Sequence, residues 1–274
     1  MLYSVFAMLI CFSISYGNDT TYLYDVRRPA FGGSQKTKTL TLPVSRHKIR
    51  VTRSVTRHRP SLTLENIRAA HATRLAEITS RLNEFEQIKL NGTDRDVWEE
   101  MVFCFFTGGC SARMGLRSIE AVRPLLMTGS QRSLANALTG VHRYPNARSR
   151  YIVLSREFLE REYGFRLRDR LFSFDCPLER RDWLAREKRI KGLGYKEASH
   201  FLRNIGFRGY AILDKHVLNC LAELGLIRNG DPPKNRARYL EVEAILKGLS
   251  QRLGIDPDEM DLVLWSMKTG EILK

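Results

Sequence analysis

Between residues 62 and 274 the apolar positions recur at helical spacing. Ile67, Leu75, Ile78, Leu82 and Phe85 fall three, four and eight residues apart and predict one face of a long amphipathic helix. Thr93 or Asp94 is placed to cap a second helix, in which Val97, Trp98, Met101, Val102, Phe105 and Phe106 leave little polar surface, as expected of a central core element. Similar patterning predicts helices near 112–126, 131–139, 146–163, 178–190, 196–205, 214–224, 236–252 and 257–269. Val and Ile are scattered, and no alternating stretch is long enough to predict a sheet. The expected fold is all-α, in two helical lobes, without an internal repeat.

The first 60 residues read differently. Residues 2–17 form an apolar run like a signal-peptide core, yet the first basic residue is Arg27, and Ser and Gly interrupt a run already short for a membrane span. The expectation is an intracellular protein with no membrane partner, whose leader reflects a start site set too far upstream. Residues 18–60 mix Gly, Pro, Ser, Thr and basic residues with no apolar period, which predicts a disordered basic arm. A secreted protein is the competing reading. It rests on the leader and on the sequons Asn18-Asp19-Thr20 and Asn91-Gly92-Thr93. The domain expectation is therefore 1–60 as leader and arm, and 61–274 as the helical domain.

Charge points to a partner. Lys and Arg number 45 against 30 Asp and Glu, a formal net charge of +15. Ten of the basic residues lie between Arg27 and Arg59, but the helical region is basic as well, so the whole chain favours polyanions such as nucleic acid. Cys11, Cys104, Cys110, Cys176 and Cys220 are scattered, with no CxxC pair. That argues against a disulfide framework, a zinc site or an iron–sulfur cluster, and no metal or other cofactor is expected.

The candidate chemistry sits in Arg189-Ile190-Lys191-Gly192-Leu193-Gly194-Tyr195-Lys196-Glu197-Ala198. An amphipathic stretch ends at Gly192, and Gly194 precedes a new helix with Ala198, Phe201 and Leu202 on its inner face. This is a helix-hairpin-helix pattern. Glycines there let backbone N–H groups approach a phosphate without an intervening Cβ. Lys196 falls in the first turn of the second helix, where the helix dipole disfavours an ammonium by ~0.3–1 kcal/mol. Stability alone would prefer an acid. An amine nucleophile must act uncharged, and desolvation and the dipole both favour that form. A phosphate-binding lysine is the other reading. Eighteen residues on, Ala211-Ile212-Leu213 delivers Asp214 to the start of the next helix. Asp214 can cap that helix, or it can stabilise positive charge developing on a sugar and take up the lysine's proton.

These residues carry a resemblance. KGLGYKEASHFLRNIGF followed by AILDKHVL resembles the helix-hairpin-helix DNA glycosylase superfamily and, more narrowly, the second class of 8-oxoguanine DNA glycosylase/lyases, found largely in archaea. The likeness spans roughly 62–274, including VFCFFTGGCSAR, HRYPNARSRYIVLSREF and DLVLWSMKTGEILK. It implies the two-lobed fold of that superfamily and a partner in double-stranded DNA containing 8-oxoguanine, bound by a monomer. It implies catalytic roles for Lys196 and Asp214: attack on the sugar, base release, a Schiff base, and β-elimination on the 3′ side. Tyr144 and Trp265 match positions that sandwich the flipped base, and Lys274 matches a residue whose carboxylate lies against it. Gly192, Gly194, Lys191 and His216 are expected at the DNA backbone, with Arg143, Arg148 and Arg150 as further phosphate candidates. Thr107-Gly108-Gly109 and Pro145 depart from the family pattern. A glycosylase for another damaged base, a monofunctional one, and a non-catalytic hairpin DNA-binding protein remain alternatives.

Overall fold

The computed structural model describes residues 10–16, 19–25 and 62–274, the first two segments by their backbone alone. Two strands, β1 (Ile10–Tyr16) and β2 (Asp19–Asp25), pair antiparallel with Ile10 opposite Asp25 and Tyr16 opposite Asp19. The sequence reading did not expect strands. Phe, Ile, Tyr and Thr are strand formers, and Gly17-Asn18 between the two segments is a residue pair suited to a hairpin turn. The rest of the expected leader and basic arm, at 1–9, 17–18 and 26–60, lies outside the described residues, as does residue 61. The chain divides into two units, Met1–Arg57 and His58–Lys274.

Within the second unit all eleven described elements of regular α structure are helices set by local signals. Thr63 caps α1 (Leu64–Asn91) by accepting the N–H of Asn66, and Thr93 and Asp96 form a reciprocal capping box on α2 (Asp94–Thr107). Then follow α3 (Ala112–Val122), a 3-10 turn (Arg123–Leu125), α4 (Gln131–Leu138), α5 (Pro145–Tyr163), α6 (Leu167–Phe172) and α7 (Pro177–Arg186). The last four are α8 (Tyr195–Asn204), α9 (Lys215–Glu223), α10 (Arg236–Leu253) and α11 (Pro257–Thr269). The predicted helix at 178–190 stops at Arg186, where Glu187 caps it, so the hairpin connection spans 187–194. The six-residue α6 was not predicted.

These helices bury two hydrophobic clusters. One gathers α2 to α7 with the apolar face of α8: Trp98, Phe105, Phe106, Phe158, Leu184, Phe201 and Leu202 belong to it. The other joins α1 to α9, α10 and α11 through Ile67, Phe85, Val217, Leu246 and Val263. The two lobes thus meet along α8. The α1 stripe differs from expectation at Leu75, which is 42% exposed. His71 and Arg74 take the inward positions instead, because α11 offers them polar partners: Glu259 at 2.7 Å from His71, and the Gly270 carbonyl at 3.1 Å from Arg74.

Polar side chains fill the seam where α8 faces both lobes. Arg181, 1% exposed, donates two hydrogen bonds to Glu243 at 2.8 and 2.9 Å and a third to Ser199 at 3.2 Å. Glu243 also accepts the Ala211 N–H at 2.9 Å, so this buried pair grips the start of the segment that leads to Asp214.

Candidate active site

Gly192 turns the hairpin with φ +83°, a conformation that a residue with a Cβ enters at a cost, and an added Cβ would lie 2.8 Å from the Tyr151 ring. The N–H of Lys191 is tied to Ser155 Oγ at 3.0 Å. Gly194 then caps α8 in extended conformation, without a side-chain cap, and leaves the first N–H groups of α8 without the usual side-chain acceptor. Lys196 occupies the second position of that helix.

Lys196 lines a cavity of about 1010 Å³ together with Asp214, His216, Trp265 and Lys274. Its side chain is 24% exposed, and its Nζ lies 3.8 Å from Glu197 Oε1, beyond hydrogen-bond reach. Asp214 caps α9: its Oδ1 accepts the N–H groups of His216 and Val217, and its side chain forms no ion pair with Lys196. Asp214 thus caps its helix, as one reading expected, and also lines the cavity. His216 packs edge-on to Trp265, ring centroids 6.5 Å apart, so the two aromatics form one wall.

Two expected residues, Tyr144 and Arg148, lie elsewhere or do other work. Tyr144 is absent from the cavity lining and 40% exposed; as the residue preceding Pro145 it sits at the N-terminus of α5, among His142, Arg143 and Arg148. The wall facing Trp265 is thus not supplied by Tyr144 in this structure. Gly192 and Lys191, expected at the DNA backbone, stand on the hairpin rather than in the cavity lining. Arg148 is 9% exposed; it donates to the Gly108 carbonyl and stacks on Tyr151, which leaves it ill placed for a phosphate. Arg143 and Arg150 are not buried away in this manner: both are exposed, Arg143 beside the Tyr144 ring.

The sequence reading missed the charges behind the cavity. Arg203 and Asp261, both about 5% exposed, form a pair at 3.5 Å at its floor. Burial pushes the Asp261 carboxyl up to about 6, against the pull of Arg203 and with a further push from Asp258 and Asp214. His200, one turn after Lys196, is buried and lines the same cavity; burial, then Lys196 and Arg203, hold its imidazole well below its ordinary range. Glu100, 4% exposed in the middle of α2, accepts from Asn204 Nδ2 at 3.1 Å and pairs with the ammonium of Lys274. Helical spacing from Lys196 puts His200 and Arg203 on its face, which was the signal for those two. Glu100 had a signal too: an acid whose neighbours Val97, Phe103 and Cys104 along the helix are all apolar. Among the described residues no group of three or more His, Cys, Asp and Glu converges to hold a metal ion, and no helix is long and apolar enough to cross a membrane.

The family model described as 8-oxoguanine DNA glycosylase matches residues 78–255. The 8-oxoguanine DNA glycosylase/AP lyase of Korarchaeum cryptofilum is 42% identical over 198 residues, 72% of this chain and 90% of that protein. The protein of the same name from Methanocaldococcus jannaschii is 35% identical over 72% of this chain and 91% of its own length. Among solved structures, the 8-oxoguanine DNA glycosylase of Thermotoga maritima superposes with a TM-score of 0.70 at 34% identity, covering 77% of this chain and 98% of that one. The Methanocaldococcus jannaschii 8-oxoguanine glycosylase/lyase in complex with a 15mer DNA containing 8-oxoguanine gives 0.70 at 33% identity, covering 77% and 99%. On the family model and on the extent of these likenesses, the chain belongs to the 8-oxoguanine DNA glycosylase family.

Proposed function

We propose that this chain binds duplex DNA containing 8-oxoguanine, turns the damaged nucleotide into the cavity between Lys196 and Trp265, and carries out both base removal and strand cleavage. One observation carries the reading: Lys196, at the glycine-led start of α8, and Asp214, at the start of α9, line one cavity large enough for a nucleobase. Relatives named glycosylase/AP lyase, and a neighbour solved with DNA containing 8-oxoguanine, support the substrate.

The uncharged Lys196 Nζ attacks the anomeric carbon C1′ as the bond to the base breaks, and the bonding electrons leave with the base, which takes up a proton. Asp214 stabilises the positive charge that develops on the sugar and accepts the proton the amine must lose. Ring opening gives a protonated imine between Nζ and C1′. Loss of a proton from C2′ then expels the 3′ phosphate by β-elimination, and water releases the lysine from the imine. Trp265 stacks on the extruded base, Lys274 lies beside it, and His216 and the N–H groups after Gly192 and Gly194 hold phosphates, with Lys191 nearby. Tyr144, outside the cavity, is better placed against the DNA than against the extruded base. The protein acts as a monomer inside the cell, without a membrane partner.

Borohydride trapping tests this. Wild type incubated with 8-oxoguanine duplex and borohydride gives a covalent protein–DNA adduct, and Lys196→Gln gives none. Base release without an adduct would mean a monofunctional enzyme, and neither would remove the assignment.

A further inference from the structure

After α11 the chain turns at Gly270 and runs along the cavity. Glu271, Leu273 and Lys274 all line the cavity. The segment starts in the lobe of α1 and α9–α11, where Arg74 donates to the Gly270 carbonyl at 3.1 Å. It ends on the other lobe: Glu271 pairs with Arg113 of α3, and the Lys274 ammonium pairs with Glu100 of α2 while lying 5.6 Å over the Phe103 ring. Residues 271–274 are therefore a strap across the cavity, fastened at both sides.

The fastening at Glu100 is unlike a surface ion pair. Glu100 is 4% exposed, within a helix whose other buried members, from Val97 to Thr107, are apolar or Thr. A carboxylate so enclosed costs much to desolvate unless each oxygen has a partner. Its two oxygens face two donors: Asn204 Nδ2 at 3.1 Å from Oε2, and the Lys274 ammonium against Oε1. His200 lines the same cavity; its ring nitrogens have no well-formed hydrogen bond, and the Lys274 backbone is among the groups that act on it. A buried acid and an aromatic ring thus hold Lys274 at the cavity wall near the buried His200, each of the three at most 5% exposed.

We infer that Glu100 is a positioning residue for base selection: by holding the Lys274 side chain against α2 it sets where the Lys274 backbone stands beside the extruded base. This rests on the reading of Lys274 as a base-contacting residue. A contact that must meet one edge of an oxidised base and reject normal guanine depends on placement within a few tenths of an ångström, whereas attack on a sugar that has already lost its base does not.

Two readouts separate these roles: the ratio of excision rates for 8-oxoguanine over guanine in the same duplex, and borohydride trapping on a preformed abasic site. Glu100→Gln keeps the shape and an acceptor for Asn204 but removes the charge that holds Lys274. The expected result is a selectivity ratio lowered about tenfold, the effect of one misplaced hydrogen bond, with trapping on the abasic site within about twofold of wild type. Lys274→Met lowers the ratio to a similar extent, and the double variant loses no more than either single one. An unchanged ratio, an additive double variant, or equal loss of ratio and trapping would overturn the inference. If Glu100→Gln does not fold, Lys274→Met decides the matter from the other partner, an unchanged ratio again overturning it. Failure of the wild type to trap on an abasic site would instead sink the catalytic reading itself, and it is seen before any variant is compared.

Discussion

The Oδ1 atom of Asp214 accepts the backbone N–H of His216 at 2.8 Å and that of Val217 at 2.9 Å, so a single oxygen caps α9. The cap aims the carboxylate at the cavity and separates two contributions that one substitution can divide. Asp214→Asn keeps an oxygen for both N–H groups and loses the negative charge. Its stability should stay within about 0.5 kcal/mol of wild type, while excision falls by about 100-fold or more, the usual scale for a charged group acting on the reaction. Asp214→Ala should lose a further ~1 kcal/mol of stability with the cap. Denaturant melts and single-turnover excision measure the two. A stable and fully active Asn variant would leave Asp214 as a cap alone.

The two hairpin glycines should respond unequally. At Gly192 a Cβ meets the Tyr151 ring at 2.8 Å and φ is +83°, so Gly192→Ala should cost about 1–3 kcal/mol and weaken DNA binding as the hairpin shifts. At Gly194 the backbone is extended and a Cβ would meet only a Glu197 carboxylate oxygen at 3.4 Å, so Gly194→Ala should cost little stability. Its effect should appear in DNA affinity, where the Cβ crowds the phosphate. Melting temperature and a titration with undamaged duplex at fixed salt would distinguish them.

Asp261 makes stability depend on pH. Its carboxyl titrates near 6 when folded against an ordinary value of 3.8. The folded state therefore binds this proton more tightly, and the contribution is fully present below the unfolded value and lost as pH rises through the folded one. At 1.4 kcal/mol per tenfold, ionised Asp261 lowers stability by about 3 kcal/mol at neutral pH relative to its protonated form. Asp261→Asn carries no such ionisation. The melting temperature of the variant minus that of wild type should rise between about pH 4 and 6 and then level off. A difference that stays flat across that interval would contradict this account.

Glu243 is the buried counterion of Arg181 and also holds the Ala211 N–H. Glu243→Ala leaves an enclosed guanidinium without its partner and frees the chain that leads to Asp214. A loss of about 3–5 kcal/mol is expected, read from chemical denaturation. Arg181→Met with Glu243→Leu should recover much of it, because an apolar pair carries no desolvation cost.

Most helices were legible because their signals are local: an apolar stripe at 3.6-residue spacing, a cap residue before it and Gly or Pro beyond. Lys196 and Asp214 were legible for a related reason, since each sits at a helix start marked by its own neighbours, Gly194 and the Ala211–Leu213 run. What could not be read depends on distant partners. Leu75 was assigned inward because it is apolar, but His71 and Arg74 take that face only because α11 presents Glu259 and the Gly270 carbonyl, 188 and 196 residues away. The apolar helix neighbours of Glu100 hinted at burial, but its partners Asn204 and Lys274, 104 and 174 residues on, could not be read. Tyr144 carried a family role by position, yet its orientation follows from Pro145 and from the stacking of Arg143 and Arg148. The short α6 lies in an Arg-rich stretch, and six residues complete too few turns for a stripe to register.

The two hydrophobic clusters differ in when they can form. The helices of the first follow one another along the chain, so that half can collapse as its residues leave the ribosome. The second cannot, because α1 is made first and must wait for α9, α10 and α11 to close over it. Lys196 is thus synthesised and its helix packed before Asp214 and Trp265 exist in place. Under the proposed mechanism, reactivity toward DNA arrives only with the last segment, and a chain cut short by stalled translation would carry Lys196 with nothing to direct it.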